Sequence, residues 1–223
     1  MIRAAALVER HPELTSRNPI PELQRKARLM PPPVDLNFVH EFQQAEKIER
    51  NPRTIFVETR DADMPLLNGA LELLRRRVVP HTLVTVGPVD DLDPQAVRWT
   101  LSEHDEVGQV RAMMEAGVIL SARPEASSDY QVVRALVAGC RPVLPDGGTY
   151  PEILPAVLHR SCLYDVEAEL LADRLQEALM PTGTPWRHDG FRQAFRSFDA
   201  MTACRMFDER VEQLVSQHRP ANN

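Results

Sequence analysis

The feature that most constrains the fold of this chain is an alternation that begins near Arg53, where short β-branched runs take turns with longer stretches of helical period. This alternation is typical of βα units built around a parallel sheet. The runs are apolar, which predicts strands buried on both faces and hence a doubly wound α/β domain. The predicted strands are residues 54–58, 82–86, 97–101, 118–121, 142–144 and 161–164, and the predicted helices are residues 65–77, 105–116, 129–138, 150–158 and 167–180.

Both ends of the chain differ from this central part in their residue composition and apolar pattern. Prolines at positions 12, 19, 21, 31, 32 and 33 indicate an arm or linker over residues 1–50. The domain itself is assigned to residues 51–182 and C-terminal helices to residues 183–217. On the last helix, apolar side chains at intervals of 3, 4 and 3 residues are expected to pack on this domain, whereas apolar residues of the arm are expected to stay more exposed and mark a contact with another chain. The helix residues are Cys204, Phe207, Val211 and Leu214, and the arm residues are Leu29, Met30, Leu36 and Phe38.

Composition excludes several classes of function. The formal net charge of −6 removes the general attraction to phosphate backbones on which most nucleic-acid binding depends. No apolar stretch approaches the ~20 residues of a membrane helix. The start of the chain lacks the apolar core of a signal peptide, so we expect a cytoplasmic protein without a membrane span. The three cysteines form no CxxC pair and the histidines are scattered, so neither a disulfide framework nor a metal site is expected.

Helix boundaries carry recognisable signals. Ser102-x-x-Asp105 and Ser128-x-x-Gln131 have the spacing of capping boxes, which predicts the two serines as N-caps. Gly117 and Gly139 follow predicted helices, where a C-cap needs a positive φ. These signals agree with the βα alternation.

In an open parallel sheet, ligands bind beyond the carboxyl ends of the strands, where helix N-termini present free N–H groups. Arg60 follows the first predicted strand and is a candidate phosphate ligand, or else a solvated arginine paired with Asp61 or Asp63. Glu125 lies in the loop after the fourth strand and is a candidate sugar-hydroxyl or acid–base residue, or else a solvent-facing carboxylate. Ser128, at the end of that loop, is a candidate for anion binding beside the helix N-terminus.

The loop after the fifth strand contains two successive glycines, Gly147 and Gly148, which permit a tight turn and a close approach of backbone to ligand. Thr149 and Glu152 follow them with capping-box spacing, so Glu152 has a purely structural alternative. No GxGxxG, GxxxxGK[ST] or GxSxG motif occurs in the chain.

Taken together, these segments resemble the C-terminal, donor-binding half of a GT-B glycosyltransferase of the group 1 type. The stretch VVRALVAGCRPVLPDGGTYPEILP, residues 132–155, is similar to that family's helix, Gly-x-Pro-Val strand and Gly-Gly-x-Pro-Glu turn. NPRTIFVETRDADMPLLNGALELLRRRVVPHTLVTVG, residues 51–87, resembles its first strand, phosphate loop, helix and second strand, and HDEVGQVRAMMEAGVILS, residues 104–121, resembles the helix and strand before the donor loop. GCRPVLPDGGTYPEILP together with LYD at 163–165 is most similar to the tRNA-queuosine mannosyltransferase-like branch, which is the only reason to consider tRNA as a partner.

The resemblance implies a Rossmann-like fold, a nucleotide-sugar donor as substrate, no metal or other cofactor, and retention of anomeric configuration. It implies that Arg60 and the amides near Ser128 hold the diphosphate, that Glu125 is the catalytic-site carboxylate, and that residues of the next loop face the donor. Those residues are Gly147, Gly148, Thr149 and Glu152.

The chain also departs from that pattern. The family uses two glutamates eight positions apart, and counting back from Gly139 places Ala126 and Arg134 at these positions. A guanidinium only donates hydrogen bonds, so Arg134 is expected to contact phosphate rather than ribose, or else to pair with nearby acids on the helix surface. The usual phosphate-loop lysine is absent from residues 61–65, and the acceptor-binding half is missing. Two hypotheses follow: a retaining hexosyltransferase domain that acts with a separate acceptor-binding subunit, and a noncatalytic binding or interaction module.

Overall fold

The structure is a computed structural model that describes residues 33–180 and 195–217, without the side chains of residues 196 and 214–217. All described residues belong to one compact unit. Leu29, Met30 and the side chain of Leu214 lie outside the described part, as does most of the predicted arm.

The described residues form a six-stranded parallel sheet, as the alternation predicted. The strands are β1 (Asn51–Glu58), β2 (Thr82–Val86), β3 (Val97–Leu101), β4 (Ala116–Leu120), β5 (Arg141–Pro145) and β6 (Leu163–Tyr164). Their order is β3-β2-β1-β4-β5-β6, with Phe56 of β1 opposite Val84 of β2 on one side and Ile119 of β4 on the other. The chain therefore winds outward in one direction from β1 and in the other from β4, as in doubly wound folds.

Helices cover both faces of the sheet. They are α1 (Asn37–Ala45), α2 (Met64–Arg76), α3 (Glu106–Glu115), α4 (Tyr130–Ala138), α5 (Tyr150–Ile153), α6 (Ala156–Cys162), α7 (Ala168–Leu179) and α8 (Ala200–Gln217), with a 3₁₀ turn at Arg196–Phe198. Phe56 points into a core shared with α1, α3 and α4, whereas its neighbours Ile55 and Val57 point into a core shared with α2 and α7. Successive strand residues face opposite sides, which explains the continuous apolar runs of the central strands. The prediction of burial on both faces was wrong for β3, which lies at the edge of the sheet and has residues 98–100 exposed.

Aspartates, not the predicted serines, cap the two central helices. Asp105 accepts a hydrogen bond from Gly108 N at 2.9 Å, and Asp129 accepts one from Val132 N at 3.1 Å. The N-caps lie three residues after Ser102 and one residue after Ser128, so both capping-box assignments were wrong. A carboxylate at an N-cap is at least as effective because it also opposes the helix dipole.

The two predicted C-cap glycines have different roles. Gly139 ends α4 with φ 103°, as expected. Gly117 instead lies inside β4, where a Cβ would come within 2.5 Å of Pro52 Cα, so the glycine permits β1 and β4 to approach. Its C-cap assignment was wrong because α3 passes directly into β4 without a left-handed turn.

The arm contains a helix that the proline pattern did not predict. α1 begins just after Pro31–Pro33, and Leu36 and Val39 are buried while Phe38 packs at the edge of the core. Val34 anchors the segment, since its N–H donates to Phe198 O at 2.7 Å and its carbonyl accepts from Ala200 N at 2.9 Å. The expectation of exposure was therefore wrong for Leu36.

The expectation for the last helix was also wrong for the three residues whose side chains are described. Phe207 and Val211 are 57% and 41% exposed, and Cys204 is exposed as well. Ala203, in the first turn of α8, is buried, whereas residues 204–209 are all exposed. Among the described side chains of α8, the one buried against the domain is Ala203, and the apolar side chains of the stripe are exposed.

Candidate functional site

The sheet order creates a crevice at one point of its carboxyl edge. β1 and β4 are neighbours, but the chain leaves them toward opposite ends of the sheet. In doubly wound folds ligands bind at such a reversal, because the loops that follow the two strands separate there. The loops at this crevice are residues 59–63 after β1 and residues 121–129 after β4.

Backbone hydrogen bonds join these loops to each other and to the loop after β5. Asp63 N donates to Ala122 O at 2.7 Å, and Thr149 N donates to Ala126 O at 3.2 Å. Gly148 has φ 57°, and a Cβ there would lie 2.6 Å from Ala126 O. The glycine pair therefore serves a close contact between two loops, and the three loops form one connected wall.

A buried polar network lies beneath this wall. Asp129 is its centre: its Oδ2 lies 2.5 Å from Arg123 Nη2 and accepts a 2.8 Å hydrogen bond from the Tyr150 hydroxyl. Ser121 Oγ lies 2.6 Å from the same hydroxyl. Burial raises the pKa of Tyr150, so its hydroxyl stays a neutral donor. The network ties the loop after β4 to the starts of α4 and α5.

Glu58, the last residue of β1, extends the network into the crevice. Its Oε2 lies 3.4 Å from Arg123 Nη2, and its side chain is largely shielded. Burial raises the pKa of Glu58, although the charge of Arg123 opposes this shift. Burial lowers the pKa of Arg123, but the negative charges of Asp129 and Glu58 outweigh this effect and raise the pKa above its ordinary value. The guanidinium therefore remains charged.

Arg123 separates two open clefts. The first, here called the helix-side cleft, has a volume of about 390 Å³ and is lined by Asp35, Glu58, Arg123, Asp129, Gln131 and Arg134, among others. The second, the loop-side cleft, has a volume of about 440 Å³ and includes Asp61, Asp63, Glu125 and Ser128. The loop-side cleft is therefore the more acidic of the two, and carboxylates suit the recognition of hydroxyl groups.

The predicted phosphate ligand Arg60 is not among the residues that line either cleft. Its guanidinium forms an ion pair with Glu103, in the loop after β3. Glu125 is exposed in the loop-side cleft, and Ser128 is exposed between the two clefts. The structure thus brings Glu125 and Ser128 together and places Arg60 with a different loop.

The remaining predicted residues lie at the edge of the crevice. Gly147 and Gly148 pack against the loop after β4, and Glu152 is exposed on α5. Thr149 precedes α5 without a side-chain capping bond, and its Oγ1 is buried without a hydrogen-bond partner in the described part of the chain. Arg134 lines the helix-side cleft and lies 3.6 Å from Glu106.

The residues that organise the crevice were not predicted. Glu58, Arg123, Asp129 and Tyr150 are isolated in sequence, and no spacing rule connects them. One signal was present: Glu58 ends one strongly apolar run and Arg123 follows another within three residues, so both charges lie at the carboxyl edge of the sheet.

Across residues 33–180 and 195–217, no group of three or more His, Cys, Asp or Glu side chains is placed to hold a metal ion. In the same part of the chain, no helix combines the length and apolarity needed to cross a bilayer.

No protein-family model and no curated protein matches the chain. Solved structures do match its fold. Anabaena HepE in complex with UDP-glucose is 14% identical with a TM-score of 0.63, and 83% of this chain covers 57% of that one. The sucrose-phosphate synthase of Thermosynechococcus elongatus is 16% identical with a TM-score of 0.62, and the coverage is 87% and 56%. The pneumococcal O-GlcNAc transferase GtfA, in complex with UDP and GlcNAc, is 10% identical with a TM-score of 0.60, and the coverage is 83% and 38%.

These likenesses show the fold. The chain has the Rossmann-like α/β fold of one half of a GT-B glycosyltransferase, and it spans between 38% and 57% of the length of these three structures. None of the three is a tRNA-queuosine mannosyltransferase, so the narrower resemblance has no support here.

Proposed function

We propose that this chain is a glycosyltransferase-type domain that binds a nucleotide sugar in the crevice between β1 and β4 and acts in the cytoplasm. The observation that carries the proposal is the position of the crevice, at the reversal of strand order, with three interconnected loops around it. The HepE and GtfA structures that share the fold were solved with UDP-glucose and with UDP and GlcNAc.

In this proposal the two ends of the ligand occupy different environments. Glu125 and the other carboxylates of the loop-side cleft accept hydrogen bonds from sugar hydroxyls. Backbone amides near Ser128, at the start of α4, supply donors for the anionic part. The reaction is transfer of a hexose with retention. Because the chain spans about half of the related structures, a separate acceptor-binding half is part of the proposal. The tRNA-queuosine resemblance contributes no residue to it.

A second candidate function is a noncatalytic binding module. It is favoured by the pairing of the crevice arginines with acids, since Arg60 contacts Glu103 and Arg123 contacts both Asp129 and Glu58. Positions 126 and 134 also hold no carboxylate. These pairs lower the positive charge available to a diphosphate.

Calorimetry of the full chain with UDP-, GDP- and ADP-sugars tests the first proposal against the second. We expect saturable binding of nucleotide sugars that carry one of these bases. Glu125→Gln should weaken binding of that nucleotide sugar severalfold and leave the free nucleotide unaffected. Glu169→Gln, which removes an exposed carboxylate from α7, is the control. Absence of saturable binding to every donor would leave only the noncatalytic module.

A further inference from the structure

The two arginines of the helix-side cleft are held very differently. Arg123 contacts Asp129 at 2.5 Å and Glu58 at 3.4 Å, and neither acid is more than 19% exposed. Arg134 has a weaker contact, 3.6 Å from Glu106, whose side chain is 64% exposed. Exposed ion pairs are weak because water competes for both partners. Arg123 is therefore a fixed part of the wall, whereas Arg134 is free to exchange its partner.

Arg134 also has unused capacity to donate. Its Nε is buried without a hydrogen-bond partner among the described residues. A guanidinium carries five N–H donors in a planar fork that matches the oxygens of a phosphate. A buried donor without an acceptor is unfavourable, so a rotation that brings this group to a ligand oxygen is favoured.

The rest of the cleft suits a single anionic group beside Arg134. Arg134 projects from α4, and the N-terminal turn of that helix, at Tyr130 and Gln131, lines the same cleft. The positive end of the helix dipole lies there. Gln131 donates through Nε2 to Gln109 Oε1 at 2.6 Å. Asp35, Glu58 and Asp129 line the same cleft and disfavour a second anion.

We propose that Arg134 binds a phosphate group in the helix-side cleft, and that Glu106 competes with this ligand for the guanidinium. This inference rests on the proposed function, because the phosphate is that of the nucleotide. The positively charged side chain that binds the phosphate then comes from α4 and not from the loop after β1, where Arg60 is already paired with Glu103. Arg134 lies at the position where the resembled family has a glutamate that binds ribose. This position therefore carries a positive charge that donates hydrogen bonds, in place of a negative charge that accepts them.

The test is calorimetry of the full chain with inorganic pyrophosphate, UDP and uridine. Arg134→Gln should weaken binding of pyrophosphate and UDP at least about tenfold, the effect of one lost charge-assisted hydrogen bond, without changing any response to uridine. Glu106→Gln should strengthen both severalfold, because it removes the competing carboxylate. Arg111→Gln removes the same charge from α3, outside the cleft, and should change neither.

Glu106 is exposed, so its substitution does not endanger the fold, and thermal melts verify that Arg134→Gln is folded. Unchanged pyrophosphate and UDP binding in Arg134→Gln would overturn the inference while leaving nucleotide-sugar binding intact. Binding of pyrophosphate that depends on Arg134, in a chain that binds no nucleotide sugar, would support the phosphate site and overturn the proposed function. Absence of binding to pyrophosphate and to every nucleotide would overturn both.

Discussion

Arg123 Nη2 lies 2.5 Å from Asp129 Oδ2, and this ion pair joins the loop after β4 to the N-cap of the helix that follows it. The same carboxylate caps α4 through Val132 N at 3.1 Å and accepts from the Tyr150 hydroxyl. One buried side chain thus positions the arginine that separates the two clefts. The crevice depends on Asp129 more than on any residue that was predicted to bind a ligand.

Asp129→Asn should reduce the free energy of unfolding by about 2–4 kcal/mol, because it leaves the shielded guanidinium of Arg123 without its nearest countercharge. Asparagine retains the N-cap, so loss of capping does not contribute. Asp105→Asn is the matched control, since Asp105 caps α3 in the same way at an exposed site without an arginine. Urea denaturation measures both. Equal effects of the two substitutions would show that the ion pair contributes nothing.

Gly148→Ala should disrupt the contact between the loops after β4 and β5. The residue has φ 57°, and the added Cβ would meet Ala126 O at 2.6 Å, so we expect a loss of about 1–3 kcal/mol. Gly147→Ala is the control, because its nearest contact would be Pro124 O at 3.3 Å and its φ is not positive. Nucleotide-sugar affinity should fall in the first variant more than in the second. A Gly148→Ala protein as stable as Gly147→Ala would contradict this role of the turn.

Glu58 should make stability depend on pH. Burial raises its pKa in the folded protein above the ordinary value of 4.5, so folding favours the protonated form. The contribution of this carboxyl group to the free energy of unfolding is fully present below pH 4.5. It is lost as the pH rises through the pKa of Glu58 in the folded protein. The groups that face Glu58 are Arg123, Asp129, Arg60 and Asp61, with Asp35 and Arg134 in the same cleft.

Denaturation of wild type and Glu58→Gln from below pH 4.5 to neutral pH measures this effect. The stability of wild type relative to the variant should decline as the pH rises. Glu125→Gln removes an exposed carboxylate from the same crevice and controls for the loss of one charge. A relative stability that rises with pH would mean that the attraction of Arg123 outweighs burial.

The cysteines should differ in reactivity. Cys204 is exposed on α8, whereas Cys140 and Cys162 are buried. Burial raises the pKa of Cys140 to about 11 and also raises that of Cys162, so neither forms the reactive thiolate readily. A thiol reagent should modify one cysteine rapidly in the native protein and all three in denaturant. Cys204→Ser should abolish the fast phase; a fast phase that persists would show that a buried cysteine is accessible.

The sequence by itself determined the class of fold and most elements, because these follow from local rules. Stretches with a side-chain period near 3.6 residues indicate helices, whereas short continuous apolar runs indicate strands buried on both faces. Gly139 marks the end of α4 for an equally local reason, its positive φ. The capping errors were also local. Aspartate and serine are nearly equivalent N-caps, so spacing did not distinguish Ser102 from Asp105.

Only the tertiary structure decided the candidate site. Glu58, Arg123, Asp129 and Tyr150 meet because β4 lies beside β1 and β5 beside β4. The hydrogen-bond ladder between parallel strands is the same for any pair, so strand order depends on how all helices and strands pack together. The same applies to α8: its amphipathic pattern shows an apolar stripe, but whether a surface lies opposite Phe207 and Val211 is decided by the rest of the fold.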